Sequence, residues 1–152
     1  MDENSARQAF ETALATQRPD FETFFLARFL GLSFTYAEDT CRIEFPIHDF
    51  MFNPQGTLHG GVAAFVLDVA MGHLLKHVTG APGATLEMKV QYLSALRPPR
   101  AVCEARFLRR GRSIAFLEAR AFDHEGQLAA VGTSTWRIGR PETGSMERTS
   151  GR

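Results

Sequence analysis

The sequence predicts an α+β fold in which a curved antiparallel sheet wraps around one long central helix. Three observations carry this expectation. Residues 59–78 are rich in Ala, Leu, Val and Met and apolar on nearly every side, and a helix of that kind belongs inside a protein rather than on its surface. Four strand-like segments of largely alternating character follow it, with short polar stretches between most of them, as in an antiparallel meander. Two further strand-like pieces precede the helix.

The chain has 152 residues, which points to one domain and suffices to bury a core without metals or disulfides. Basic and acidic residues balance at 17 each, so no net field draws the protein to nucleic acid or to an anionic membrane. Cys41 and Cys103 fall in different strand segments and read as reduced core residues. Asp68, His73, Lys76 and His77 interrupt the longest apolar run, which falls short of the ~18 residues of a membrane span. The start "MDENSARQ" is acidic and lacks the apolar core of a secretory signal. A cytoplasmic protein with no membrane or nucleic-acid partner is expected.

In chain order, residues 4–17 read as a helix, with Ser5 and Gln8 spaced as a capping box. Pro19-Asp20 interrupts it. "DFETFFLARFLG" reads as a second helix, with Asp20 as N-cap and Gly31 just past its end. Its apolar flank, Phe21, Phe24, Phe25, Ala27 and Leu30, needs a core or a partner. "LSFTY" and "TCRIEFPI" are the two early strands; in the second, Cys41, Ile43, Phe45 and Ile47 alternate with Arg42 and Glu44. Gly80, Pro82 and Gly83 end the central helix. Residues 84–93, 101–109, 112–123 and 127–138 then read as strands, with "RRGR" and "DHEGQ" as hairpin turns and "LRPPR" separating the first two. The expected division is a helical segment over 1–31, the main domain over 32–138 and a polar, disordered tail over 139–152. One sheet cannot enclose the helix, and its edges stay open; edge-to-edge pairing of two copies would solve both problems.

The central run begins "NPQGTLHGGVAAFVLDVA". An unpaired carboxylate in apolar surroundings costs several kcal/mol, so Asp68 either sits on an exposed edge of the helix, or bonds a neighbouring chain's backbone, or faces a cleft as a catalytic group. His59-Gly60-Gly61 sits at the helix start, where free N–H groups carry positive potential. Bare glycine backbone there suits a developing oxyanion, or simply turns the chain into the helix. Asp68 follows His59 by nine residues, which at ~100° per residue places them on opposite sides of a helix. Two copies, the start of one helix facing the middle of the other, could bring both to one substrate.

Asn53, Gly56, His59, Gly60, Gly61 and Asp68 fall on the pattern N-x-x-G-x-x-H-G-G-x(6)-D. In this the chain resembles the hotdog-fold acyl-CoA thioesterases, in the subfamily that includes the phenylacetyl-CoA thioesterases. "GATLEMKVQYL" and the last two strands resemble that family too, so the likeness runs from about Leu30 to Ile138. It departs at "YLSALRPPRAV", where the family often has Y-L-x-P followed by Gly-Asp. The resemblance implies a hotdog fold, hydrolysis of an acyl-CoA substrate without a cofactor, and a site at a homodimer interface, the dimers themselves pairing. It implies that Gly60 donates its N–H to the thioester oxygen and that Asp68 from the other chain is general base or nucleophile. Asn53 would orient water or leaving group, and His59 would support the loop or hold the thioester. Thr85 would position water near the acid, while Gly56 and Gly61 complete the substrate-binding loop.

Other residues carry weaker expectations. Arg97, Arg100, Arg109, Arg110 and Arg112 cluster in loops and turns; they either meet CoA phosphates or form a solvated surface, with Arg109, Arg110 and Arg112 the phosphate candidates. His73 and His77 have the i, i+4 spacing of metal ligands, but no HExxH accompanies them, and no metal is expected. His48-Asp49 reads as loop and Trp136 as core. Phe50, Met51 and Phe52, with the early Phe residues, would pack the core or line an acyl pocket. A hotdog dehydratase or hydratase is the alternative enzyme, and a non-catalytic acyl-CoA-binding module the alternative outside enzymes.

Overall fold

The fold is organised by one helix, α3 (Gly60–Thr79). His59 caps its start, and Gly80 ends it in the left-handed region (φ 67), its N–H reaching back to Lys76 O. Glycine takes that conformation without a Cβ clash, which is why the helix stops there. Val66, Leu67, Ala70, Met71, Leu74 and Leu75 are almost wholly buried. By length and composition α3 could cross a membrane (20 residues, mean hydropathy 1.3); here the sheet and the N-terminal segment take up its apolar sides.

The computed structural model describes residues 1–140. Around α3 lie α1 (Glu3–Thr16), α2 (Phe25–Phe29), β1 (Ser33–Ala37), β2 (Thr40–Pro46), a 3-10 turn at Asp49–Met51, β3 (Gly83–Tyr92), β4 (Arg100–Arg110), β5 (Ile114–Phe122) and β6 (Leu128–Ile138). The strands form one antiparallel sheet in the order β1-β2-β4-β5-β6-β3. This is the expected sheet around a central helix, with strand limits within about two residues of those predicted. The expected disordered tail lies, beyond Arg140, outside the described residues. Cys41 and Cys103 are free and buried, as predicted. Burial pushes the Cys41 thiol up to about 12 and raises Cys103 further.

The sheet has two open edges, β1 and β3. β3 is the longer at ten residues, and Leu86, Tyr92 and the following Leu93 are each more than half exposed (55–58%). A long edge strand carrying apolar side chains invites pairing with another chain.

Two expectations near the N-terminus need correction. The cap of α1 is Asp2, whose side chain accepts from Asn4 N–H at 3.0 Å, so Ser5 and Gln8 are not its capping box. The second helix covers only Phe25–Phe29. Asp20 does not cap it: Asp20 Oδ1 accepts from both the amide and the hydroxyl of Thr23, closing a local turn that competes with helix. Gly31 does follow the helix in the left-handed conformation (φ 67). Of the apolar flank, Ala27 and Leu30 are buried in the core, while the partly buried Phe24 meets Phe65 and Phe21, with Phe34 of β1, encloses His73; Phe29 stacks on Phe50.

Candidate active site

Asp68 lies on the least covered stripe of α3, with Gly61, Ala64, Phe65 and Gly72, and is half-buried. Thr85 Oγ1 donates to Asp68 Oδ1 at 2.8 Å. A regular β3 would not allow this, because side chains alternate between faces. Thr85 pairs with Trp136 and Glu87 with Thr135, so Leu86 is an extra, bulged residue. The bulge shifts the alternation by one and turns Thr85 to the inner face shared by Met88, Val90 and Tyr92. Burial raises the Asp68 carboxyl above the usual carboxylate range, and the Thr85 hydrogen bond partly opposes that rise.

The other end of β3 meets the start of α3. His59 Nδ1 accepts from Gly61 N–H at 2.9 Å, which leaves the neutral ring's proton on Nε2. Gly61 N–H is therefore engaged by the cap. Gly60 N–H makes no hydrogen bond among the described residues. It opens beside a cleft of about 270 Å³ lined by Asn53, Thr57, Gly60, Tyr92, Ser94 and Leu96. An amide at a helix mouth, unpaired and in a cleft, can receive a carbonyl oxygen as it gains charge.

Asn53 shapes this cleft. Its Oδ1 accepts from Gln55 and Thr57 amides at 2.9 and 3.3 Å, and its Nδ2 donates to Thr57 Oγ1 at 3.0 Å. One Nδ2 proton remains for a ligand. Gly56 (φ 75) completes the same turn, its N–H reaching Asn53 O; it lies outside the cleft lining, so its role is in the loop.

Within one chain the two parts stand apart. Gly60 and Asp68 are eight residues apart on α3, ~12 Å along the axis and ~80° around it. Thr85 and Tyr92, their contacts on β3, are seven residues apart. The arginines are placed differently again. Arg110, Ala115, Trp136 and Thr85 form one row across β4, β5, β6 and β3, so Arg109, Arg110 and Arg112 lie toward the Asp68 end of the sheet. Arg110 also sits over the Phe107 ring at 5.8 Å. Arg100 pairs with Glu44 at 2.7 Å, on the surface.

Three features escaped the sequence reading: the Leu86 bulge, Tyr92, and a chain of polar groups that runs from the buried His73 to the exposed Glu22. In that chain Tyr36 Oη donates to Glu22 Oε1 at 2.8 Å and lies 2.9 Å from His73 Nδ1. Burial lowers the His73 pKa to about 4, against a smaller rise from Glu22. His73 lies in this polar chain and His77 stacks on Tyr36, and no group of three or more potential metal ligands occurs among the described residues. Strand alternation through Met88 and Val90 could have pointed to Tyr92; a bulge leaves no such mark.

The fold is that of the hotdog thioesterases. Residues 55–130 match the thioesterase superfamily, and the chain belongs to that superfamily. It is similar to a Halobacterium salinarum protein that carries the provisional name of an esterase, 31% identical over 133 residues, 77% of this chain and 86% of that one. Human acyl-coenzyme A thioesterase 13 is 31% identical over 99 residues, 63% of this chain and 71% of its own. A Bacillus halodurans protein crystallised with CoA superposes with a TM-score of 0.77 at 22% identity, over 91% of each chain. These relationships mark the protein as a hydrolase of thioesters.

Proposed function

We propose that the protein hydrolyses an acyl-CoA thioester to a carboxylic acid and free CoA, at a site assembled from two copies of the chain. The observation that carries this reading is the pair of half-sites: an unpaired Gly60 amide in a cleft, and a half-buried Asp68 braced by Thr85. The likeness to human acyl-coenzyme A thioesterase 13 supports the acyl-CoA substrate, and the Asn53, His59-Gly60-Gly61 and Asp68 spacing supports a place near the phenylacetyl-CoA branch.

Gly60 N–H receives the thioester oxygen, which gains negative charge as the carbonyl carbon is attacked. Asp68 drives the attack, by deprotonating water or by adding to the carbonyl itself. The C–S bond breaks, CoA leaves as the thiol, and water supplies the acid's new oxygen. Arg109, Arg110 and Arg112, at the Asp68 end of the sheet, supply positive charge for the CoA phosphates.

The open edge of β3 is where a second copy pairs. Antiparallel pairing about a two-fold axis near Met88 and Lys89 sets Thr85 of one protomer across from the partner's Tyr92. One protomer's Asp68 then faces the partner's helix start, and each dimer has two equivalent sites.

The direct test is Asp68→Asn, nearly isosteric, assayed by thiol release from a panel of acyl-CoAs. Turnover should fall ~10²–10⁴-fold with the fold retained. Cleavage at the parent rate would remove Asp68 from the mechanism. Binding of acyl-CoA without thiol release by the parent would favour a binding module.

A further inference from the structure

The two glycines at the start of α3 have different neighbours. A Cβ on Gly61 would lie 3.0 Å from the His59 ring, and a Cβ on Gly60 would lie 3.3 Å from the Tyr92 ring. Each glycine lets an aromatic ring lie against bare backbone. Those rings also hold the peptide between the glycines at both ends. Tyr92 Oη donates to Gly60 O at 2.8 Å, and Gly61 N–H donates to His59 Nδ1 at 2.9 Å. The preceding peptide is fixed as well, since His59 O accepts from Val62 and Ala63 amides. With its neighbours tied, Gly60 N–H keeps one direction, at the cleft that Gly60 and Tyr92 both line.

We propose that Tyr92 is a positioning residue for catalysis: its hydroxyl and ring clamp the Gly60–Gly61 peptide and thereby aim the Gly60 amide at the thioester oxygen. This rests on Gly60 being the oxyanion donor, as proposed above. Two adjacent glycines have wide backbone freedom, and an oxyanion site works by being organised before charge develops. The phenol reaches from the last residue of an edge strand to the first turn of the core helix, so it also keeps the helix mouth in register with β3. Tyr92 touches no reacting atom; it acts through the Gly60 amide.

The test is Tyr92→Phe, which keeps the ring and removes the hydroxyl, compared with the parent and with Asp68→Asn. Steady-state kinetics are read alongside ¹⁵N relaxation of the Gly60 and Gly61 amides. Expected are a fall in kcat of about tenfold, KM within about threefold and an unchanged melting temperature, the pattern of an interaction lost in the transition state. The Gly60 order parameter should drop from ~0.85 toward ~0.6. A structural role alone would lower the melting temperature and leave kcat intact. If Asp68→Asn is inactive while Tyr92→Phe matches the parent, the clamp fails and the site assignment stands. A raised KM with unchanged kcat would make Tyr92 a wall of the binding cleft and overturn the proposal. Should the parent cleave no thioester, the functional reading falls, and an unchanged Gly60 order parameter in Tyr92→Phe would independently refute the clamp.

Discussion

Thr85 reaches Asp68, hydroxyl to carboxylate at 2.8 Å, because Leu86 is one residue too many for β3. The bond stabilises the ionised carboxylate and partly offsets the burial that raises its pKa. Removing the hydroxyl therefore raises that pKa further. In Thr85→Val the acidic limb of the pH–kcat/KM profile should move to higher pH, with rates above it reduced several-fold, while Thr85→Ser should keep the parent profile. A Thr85→Val limb at unchanged or lower pH would uncouple the two residues.

Gly60 occupies the first position of α3, where proline fits a helix well. His59 already has the extended backbone (φ −62, ψ 132) that a residue before proline prefers. Gly60→Pro thus deletes the proposed oxyanion donor with little damage to the helix. Turnover should fall ~10²-fold or more. Gly60→Ala makes the same Cβ contact with Tyr92 but keeps the N–H, and should retain most activity. Equal losses in both variants would make the effect steric.

The two-chain site predicts complementation. In a hybrid of an Asp68→Asn chain and a Gly60→Pro chain, one site combines an intact amide from one protomer with an intact acid from its partner. Refolding the two inactive variants together at equal amounts should restore ~25% of parent activity, since half the dimers are hybrids with one good site in two. No recovery from chains shown by native mass spectrometry to form mixed dimers would place both groups of a site in one chain.

His73 gives the fold an acid limit. The ring is 5% exposed, stacks on Phe34 at 4.2 Å and faces Phe21, with Tyr36 and Glu22 as its polar neighbours. It stays neutral in the fold down to about pH 4, against an ordinary value of 6.5. The unfolded chain therefore takes up the proton first. Stability is fully present above pH 6.5 and declines as pH falls toward 4, by ~2 kcal/mol after discounting for screening by water. Urea midpoints at pH 7 and 4.5 should show this, and His73→Gln should flatten the difference. A profile unaltered in His73→Gln would assign the acid limit elsewhere.

The architecture was readable because its signals are local and repeated. The run that became α3 is apolar all round and ends in glycines, and the last three strands alternate between polar turns. Less was readable where one contact outweighs a pattern. Asp20 looks like a helix cap, yet its carboxylate is taken by both donors of Thr23. Gly60 and Gly61 look alike in sequence, yet His59 occupies the N–H of Gly61 alone. The motif named Gly60 and Asp68, and the resemblance named Thr85 beside the acid, but Tyr92 beside Gly60 depends on strand parity, and a single bulged leucine resets parity without altering composition. The Arg100–Glu44 pair, 56 residues apart in the chain, left no mark in the sequence.

The buried cysteines bear on how the protein can be measured. Cys41 and Cys103 are the chain's entire complement of sulfhydryls, both sealed in the core and far from ionising at neutral pH. Aryl-disulfide reagents consume thiolates, so the native enzyme is silent toward them and the colour they develop counts liberated CoA alone. The same reagents, applied without substrate, colour only with molecules that have opened.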